Sequence, residues 1–195
     1  RRATIALGAA AAAATLPLPA LGQAQRPPLR IAAQGVPDSM EPINAISNVG
    51  NRVTNQLFDT LIHRDFLSNA AGNGTRLVPG IAESWERRDD RTLDITLAPG
   101  VRFHNGRAVA VEDIAFTFSA HRLWGERPMV PRGPLFSAAF DEPEILDRRR
   151  VRIRTRGADA TIEKRLASWV AWVVPAEEYL AAGAEAFGLR PIGTG

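Results

Sequence analysis

Cysteine is absent from the 195 residues, and lysine occurs only at Lys164. The first absence excludes structural disulfides, thiolate metal sites and a cysteine nucleophile. It also leaves no cysteine for lipid attachment, so no lipoprotein is expected. The basic side chains are almost all arginine. Net charge is +3, and Arg1 and Arg2 supply two of those units, leaving 22 basic against 21 acidic side chains. So small a surplus gives no footprint for nucleic acid. The three histidines, His63, His104 and His121, are scattered without zinc-site spacing, and no metal is expected. There is no G-x-S-x-G elbow, no P-loop and no dinucleotide fingerprint. No residue is nominated as catalytic and no cofactor is expected; the chain does not read as an enzyme. Asp89-Asp90 and Glu177-Glu178 fall in a turn and at a helix start, where solvated roles are the ordinary outcome. Arg148-Arg149-Arg150 lies at a hairpin turn and reads as a solvated basic turn.

What is present is an ordinary globular composition, 45% hydrophobic and 23% charged. The length suits one domain or a pair of small lobes. Residues 1–24 read as an export signal: Arg1-Arg2, an alanine-rich apolar run from Ala3 to Leu16, helix-breaking Pro17 and Pro19, and small residues before a cleavage point after Ala24. The paired arginines fit either a twin-arginine signal lacking its first residues or a general secretory one.

Further along, Leu29 to Ala33 suits a buried strand and Asp38 to Asn44 a turn. Ser47 can cap a helix in which Val49, Val53, Leu57 and Leu61 recur every four residues. Ser68 to Arg76 is a polar loop. Strands are expected over Ala82 to Arg87 and Leu93 to Leu97, the second alternating apolar and polar residues. Val101 to Phe103 follows a Pro99-Gly100 turn, and Asn105-Gly106 marks another. Val111, Ile114, Ala115 and Phe118 keep helical spacing. After an irregular stretch, Pro128 to Pro134, a hairpin spans Glu144 to Thr155. A helix covers Thr161 to Ala167, a strand Trp169 to Val174, and a last helix runs from Pro175 to Ala182, ending at Gly183. In such a strand Trp169 and Trp172 would point to different faces. Strands and helices mix without strict alternation, giving α/β or α+β with more than one sheet.

Residues 77–118 read "LVPGIAESWERRDDRTLDITLAPGVRFHNGRAVAVEDIAFTF". This resembles the signature of the extracellular solute-binding proteins of family 5, the peptide- and nickel-binding class of ABC importers. Two flanking segments agree: "SMEPINAISNVGNRVTNQLFDTLIHRD" resembles the family's first helix and its approach, and "VVPAEEYL…PIGTG" its "VP…PVGTGPY" segment. The chain departs from the pattern at Ala108 and Ala110, where the family often carries Pro and Thr. Alanine before the helix forgoes about 1 kcal/mol of capping. Within the signature, Trp85 and Phe103 offer apolar area to bury. Glu83, Asp113 and His104 suit anchors for turn and helix-terminus amides.

The resemblance implies an α/β fold of the type II periplasmic binding protein class, large peptide-binding subclass. The chain would be partial, holding the first lobe and an extra domain only. Residues 25–43 would begin the main lobe, 44–156 form the smaller extra domain, and 157–195 return to the main lobe before the segment stops short of the family's "PY". It also implies solute contacts at Ile46, Ser47 and Asn48, with Ser47 equally explained as a helix cap. The implied function is capture of di- to oligopeptides in the periplasm, without catalysis, by a monomer that delivers them to membrane permease subunits. The same fold serves nickel chelates, opines and sugars, and sensor or chaperone-like modules, and the residues do not choose among these.

Overall fold

A computed structural model describes residues 30, 32, 34, 35, 37–68 and 72–195. The expected export signal lies outside these, as do Leu29, Ile31 and Ala33 of the first expected strand. Residues 33–195 cluster as one unit. Its centre is a four-stranded antiparallel sheet in the order β3–β4–β6–β5, from β3 (Ala82–Arg87), β4 (Thr92–Leu97), β5 (Glu144–Ile145) and β6 (Arg150–Arg154). Trp85 pairs with Ile95, and Ile95 with Val151. Period-two alternation sends Leu93, Ile95, Leu97, Val151 and Ile153 into the core. Over them lies α2 (Val111–Thr117), burying Val111 and Ile114, with Phe118 just beyond its end. On the opposite face Asp94 accepts from Arg152 and Arg88.

A two-stranded antiparallel ribbon joins β1 (Ile62–Arg64) to β2 (Leu77–Pro79), with His63 opposite Val78. A second apolar cluster gathers Ile43, Phe58, Leu123, Trp172, Tyr179 and Phe187. It is built from α1 (Asn48–Leu57), a π-helical turn (Ala120–Trp124), α3 (Pro134–Ser137) and α5 (Ala176–Leu189). The helix α4 (Ile162–Leu166) closes the first cluster with Ile162 and Leu166.

Several expectations change. The strand expected over Trp169 to Val174 is instead a 3-10 turn, Trp169–Ala171, followed by extended chain. Ala171 N–H bonds back to Ser168 O at 2.9 Å, so the segment curls before it can lie along a neighbour. Trp172 then makes a single bridge with Thr60, and Val173 N–H donates to Asp59 O. Both tryptophans belong to the second cluster, Trp172 buried and Trp169 half-buried against Phe136. Leu61 lies beyond α1, which stops at Leu57; α1 buries Gly50 and Thr54 rather than Val49 and Val53. The last helix continues past Gly183, which breaks its geometry at φ 78°. Val101 to Phe103, which follows the Pro99-Gly100 turn as expected, meets the returning chain at an Arg102–Ala108 bridge. The ribbon β1–β2, the π-helical turn and α3 had no sequence expectation.

Candidate functional site

Ile46 and Ser47 end a tight loop whose shape is set by Glu41. The carboxylate Oε2 accepts from the backbone amides of Ile43 (2.8 Å) and Asn44 (2.9 Å), and Glu41 O accepts from Ala45 N–H (2.8 Å). The loop then folds back on the first turn of α1. A Cβ at Gly50 would stand 1.8 Å from Ala45 O, so only glycine permits the approach. Ser47, in extended conformation, caps α1 by accepting from Gly50 N–H at 2.9 Å. Ile46 is half-buried on the second cluster, while Ser47 and Asn48 are exposed.

Ile46 and Ser47 line a groove of about 710 Å³ together with Pro37, Asp38, Ser39, Asn44, Ala45, Val49 and Arg132. Asn48 is not among its lining residues and sits beside it on the first turn of α1. A hollow of about 290 Å³ shares Asp38, Ser39 and Asn44 and adds Met129, Pro131 and Glu185. The wall therefore mixes apolar contacts (Ile46, Val49, Met129) with hydroxyl and amide groups (Ser39, Ser47, Asn44). Asp38 and Arg132 bring one charge of each sign, both exposed. Such a surface can hold a small polar solute through a few hydrogen bonds against an apolar floor. Sequence reasoning missed Asp38, Asn44 and Arg132. Arg132 arrives from the Pro/Gly-rich stretch, and no spacing links it to Ser47.

Trp169 and Trp172 border a separate hollow of about 230 Å³ with Phe58, Asp59 and His63. There the His63 imidazole, 3.5 Å from Asp59, holds the Asp59 carboxyl below its ordinary range. No cluster able to hold a metal occurs among the described residues.

The signature residues lie elsewhere and carry structure. Asp113 accepts from Ala110 N–H (2.9 Å) at the start of α2 and from Ala176 N–H (2.8 Å) at the start of α5. Arg107 donates to it twice, at 2.7 and 3.1 Å, and also to Glu178. Glu178 therefore has ion-pair and Asn105 partners, rather than solvent alone. Ala110 has no side-chain cap, so the first-turn amides of α2 lack that acceptor, while the Asp113 carboxylate makes only the reciprocal bond, to the Ala110 N–H. His104 binds the PIGTG segment: its amide donates to Gly193 O, its Nδ1 accepts from Gly193 N–H, and its Nε2 faces Gly195 O at 2.9 Å. Glu83 pairs with Arg149 rather than with an amide. The Arg148–Arg150 turn is closed by Asp147, which accepts from the amides of Arg149 and Arg150.

Residues 76–195 match the bacterial extracellular solute-binding proteins, family 5. The chain belongs to that family. It is 29% identical to the di/tripeptide-binding protein 3 of Pseudomonas aeruginosa (strain UCBPP-PA14), across 84% of this chain and 33% of the relative. It thus spans about a third of that relative's length. Among solved structures, the dipeptide binding protein from Pseudoalteromonas sp. SM9913, in complex with Met-Leu, superposes with a TM-score of 0.70. That pair is 22% identical, over 84% of this chain and 35% of the other. NikZ from Campylobacter jejuni, in complex with Ni(L-His), gives a TM-score of 0.62 at 23% identity, over 80% and 29%. The fold is that of the type II periplasmic peptide-binding proteins, of which this chain is a part.

Proposed function

We propose that the protein containing this chain captures di- to oligopeptides in the periplasm and delivers them to the permease of an ABC importer. The observation that carries the proposal is the groove beside the N-terminus of α1, where Ile46 and Ser47 stand with Asn44 and Arg132. Ile46, Ser47 and Asn48 are the proposed solute contacts, with Asn48 reaching a solute from the helix turn next to the groove. The peptide choice is supported by the similarity to a di/tripeptide-binding protein. The protein acts by binding, as a monomer, and performs no chemical step. Residues 25–43 begin the main lobe, 44–156 form the extra domain and 157–195 return to the main lobe. Closure of a second lobe would exclude water and strengthen the hydrogen bonds to the solute.

A second reading keeps the fold and changes the solute to a nickel chelate, supported by the likeness to NikZ with Ni(L-His). A thermal-shift series on the full-length protein separates the two, because a bound ligand raises the melting temperature by mass action. Met-Leu and longer peptides are expected to raise it while Ni(L-His) leaves it unchanged. A rise with Ni(L-His) alone would replace the peptide assignment and leave the binding role standing.

A further inference from the structure

Behind the groove wall, Glu41 and Arg122 form an ion pair that solvent does not reach: both side chains are 0% exposed, with Arg122 Nη2 donating to Glu41 Oε1 at 2.7 Å. The Tyr179 hydroxyl donates to the same oxygen at 3.0 Å, and the guanidinium lies 5.2 Å from the Tyr179 ring centroid. Arg122 comes from the π-helical turn, and its Nη1 donates to Thr117 O at the end of α2. Tyr179 comes from α5, and Met40 N–H donates to Gly188 O of the same helix. One carboxylate thus ties α2, the π-helical turn and α5 to the loop that leads into Ile46.

Stability alone does not account for an acid at this place. Desolvation of a buried ion pair offsets much of its attraction, and apolar side chains of similar volume often hold a core as well or better. Geometry does account for it. The second oxygen of Glu41 accepts the amides of Ile43 and Asn44, which no apolar side chain could do. We infer that Glu41, held by Arg122 and Tyr179, is a positioning residue: it fixes the Ile43–Ala45 turn and so places Asn44, Ile46 and Ser47 along the groove. The inference rests on the groove's being the solute site.

Two variants of the full-length protein test it: the double variant E41M/R122M, which removes both charges together, and Tyr179→Phe, which removes only the hydroxyl bond. Melting temperature, amide hydrogen exchange and Met-Leu affinity are measured for each. The double variant is expected to melt below wild type, because the Ile43 and Asn44 amides and the Tyr179 hydroxyl lose their buried acceptor. Its Ile43 and Asn44 amides should exchange at least about tenfold faster, because their acceptor is gone. Met-Leu should bind about tenfold more weakly. Tyr179→Phe should shift exchange and affinity in the same direction by about threefold. Wild-type exchange at Ile43 and Asn44 in the double variant would overturn the inference. So would unchanged Met-Leu affinity despite faster exchange. If the double variant fails to fold, Tyr179→Phe decides, and wild-type exchange there sinks the idea. Should wild type itself not bind Met-Leu, the peptide reading fails on its own, and the exchange rates, which need no solute, still decide the role of Glu41.

Discussion

Asp94 sits on β4, on the sheet face away from the core, where its carboxylate accepts from Arg152 Nε at 2.5 Å, Arg152 Nη2 at 2.9 Å and Arg88 Nε at 2.7 Å. The Arg152 hydrogen bonds are the largest influence on its carboxyl; they and Arg88 outweigh burial and hold it down to about 2, against an ordinary 3.8. A carboxyl depressed in the folded state contributes stability that is complete above its unfolded value and lost as pH falls through the folded one. The advantage of wild type over Asp94→Asn should therefore be full at about pH 5 and shrink by about 2 kcal/mol on approach to pH ~2. Urea unfolding at stepped pH reads this directly, and parallel curves for the two proteins would refute it. The outward position of Asp94 was legible from the alternation Leu93-Asp94-Ile95. Its partners were not, because Arg152 reaches it through strand pairing and Arg88 through the return of a turn.

At the scale of elements, α1 gives the clearest link between local sequence and site. Ser47 caps it through Gly50 N–H, and the same hydroxyl borders the groove. Ser47→Ala should lower stability by about 1 kcal/mol through the lost cap. Ser47→Asp keeps a capping oxygen and should hold stability, yet its negative charge should still alter Met-Leu affinity. Chemical denaturation and calorimetry on both variants separate cap from contact; equal affinity in wild type and both variants would remove Ser47 from the site. Elements with local signals were read well: the cap of α1, the alternation of β4, the spacing of α2 and the hairpin turn at Asp147. Trp169 to Val174 was misread because an apolar run carries no period of its own. Ser168 O draws Ala171 N–H into a 3-10 turn, and only tertiary contacts with Asp59 and Thr60 straighten the chain at Trp172 and Val173. The groove was half legible. Ser47 and Ile46 come from the resemblance to the family, whereas Arg132 and Asn44 reach it through folding alone.

For the whole molecule, the family signature and the groove divide the work. Trp85, Phe103, His104 and Asp113 bind sheet, helix termini and the PIGTG segment into one frame. A Cβ at Gly193 would meet Leu57 O at 1.8 Å, so glycine lets that segment lie against the end of α1. The frame thus grips α1 at its C-terminal end, while Glu41 and Ser47 order the loop and cap at its N-terminal end, where the groove opens. In the proposed function, solute binds at this N-terminal end. Hydrogen exchange of the full-length protein with and without saturating Met-Leu tests it most directly. Slower exchange concentrated at residues 44–48 is the predicted result. Binding of Met-Leu with unchanged exchange there, and protection elsewhere, would contradict it.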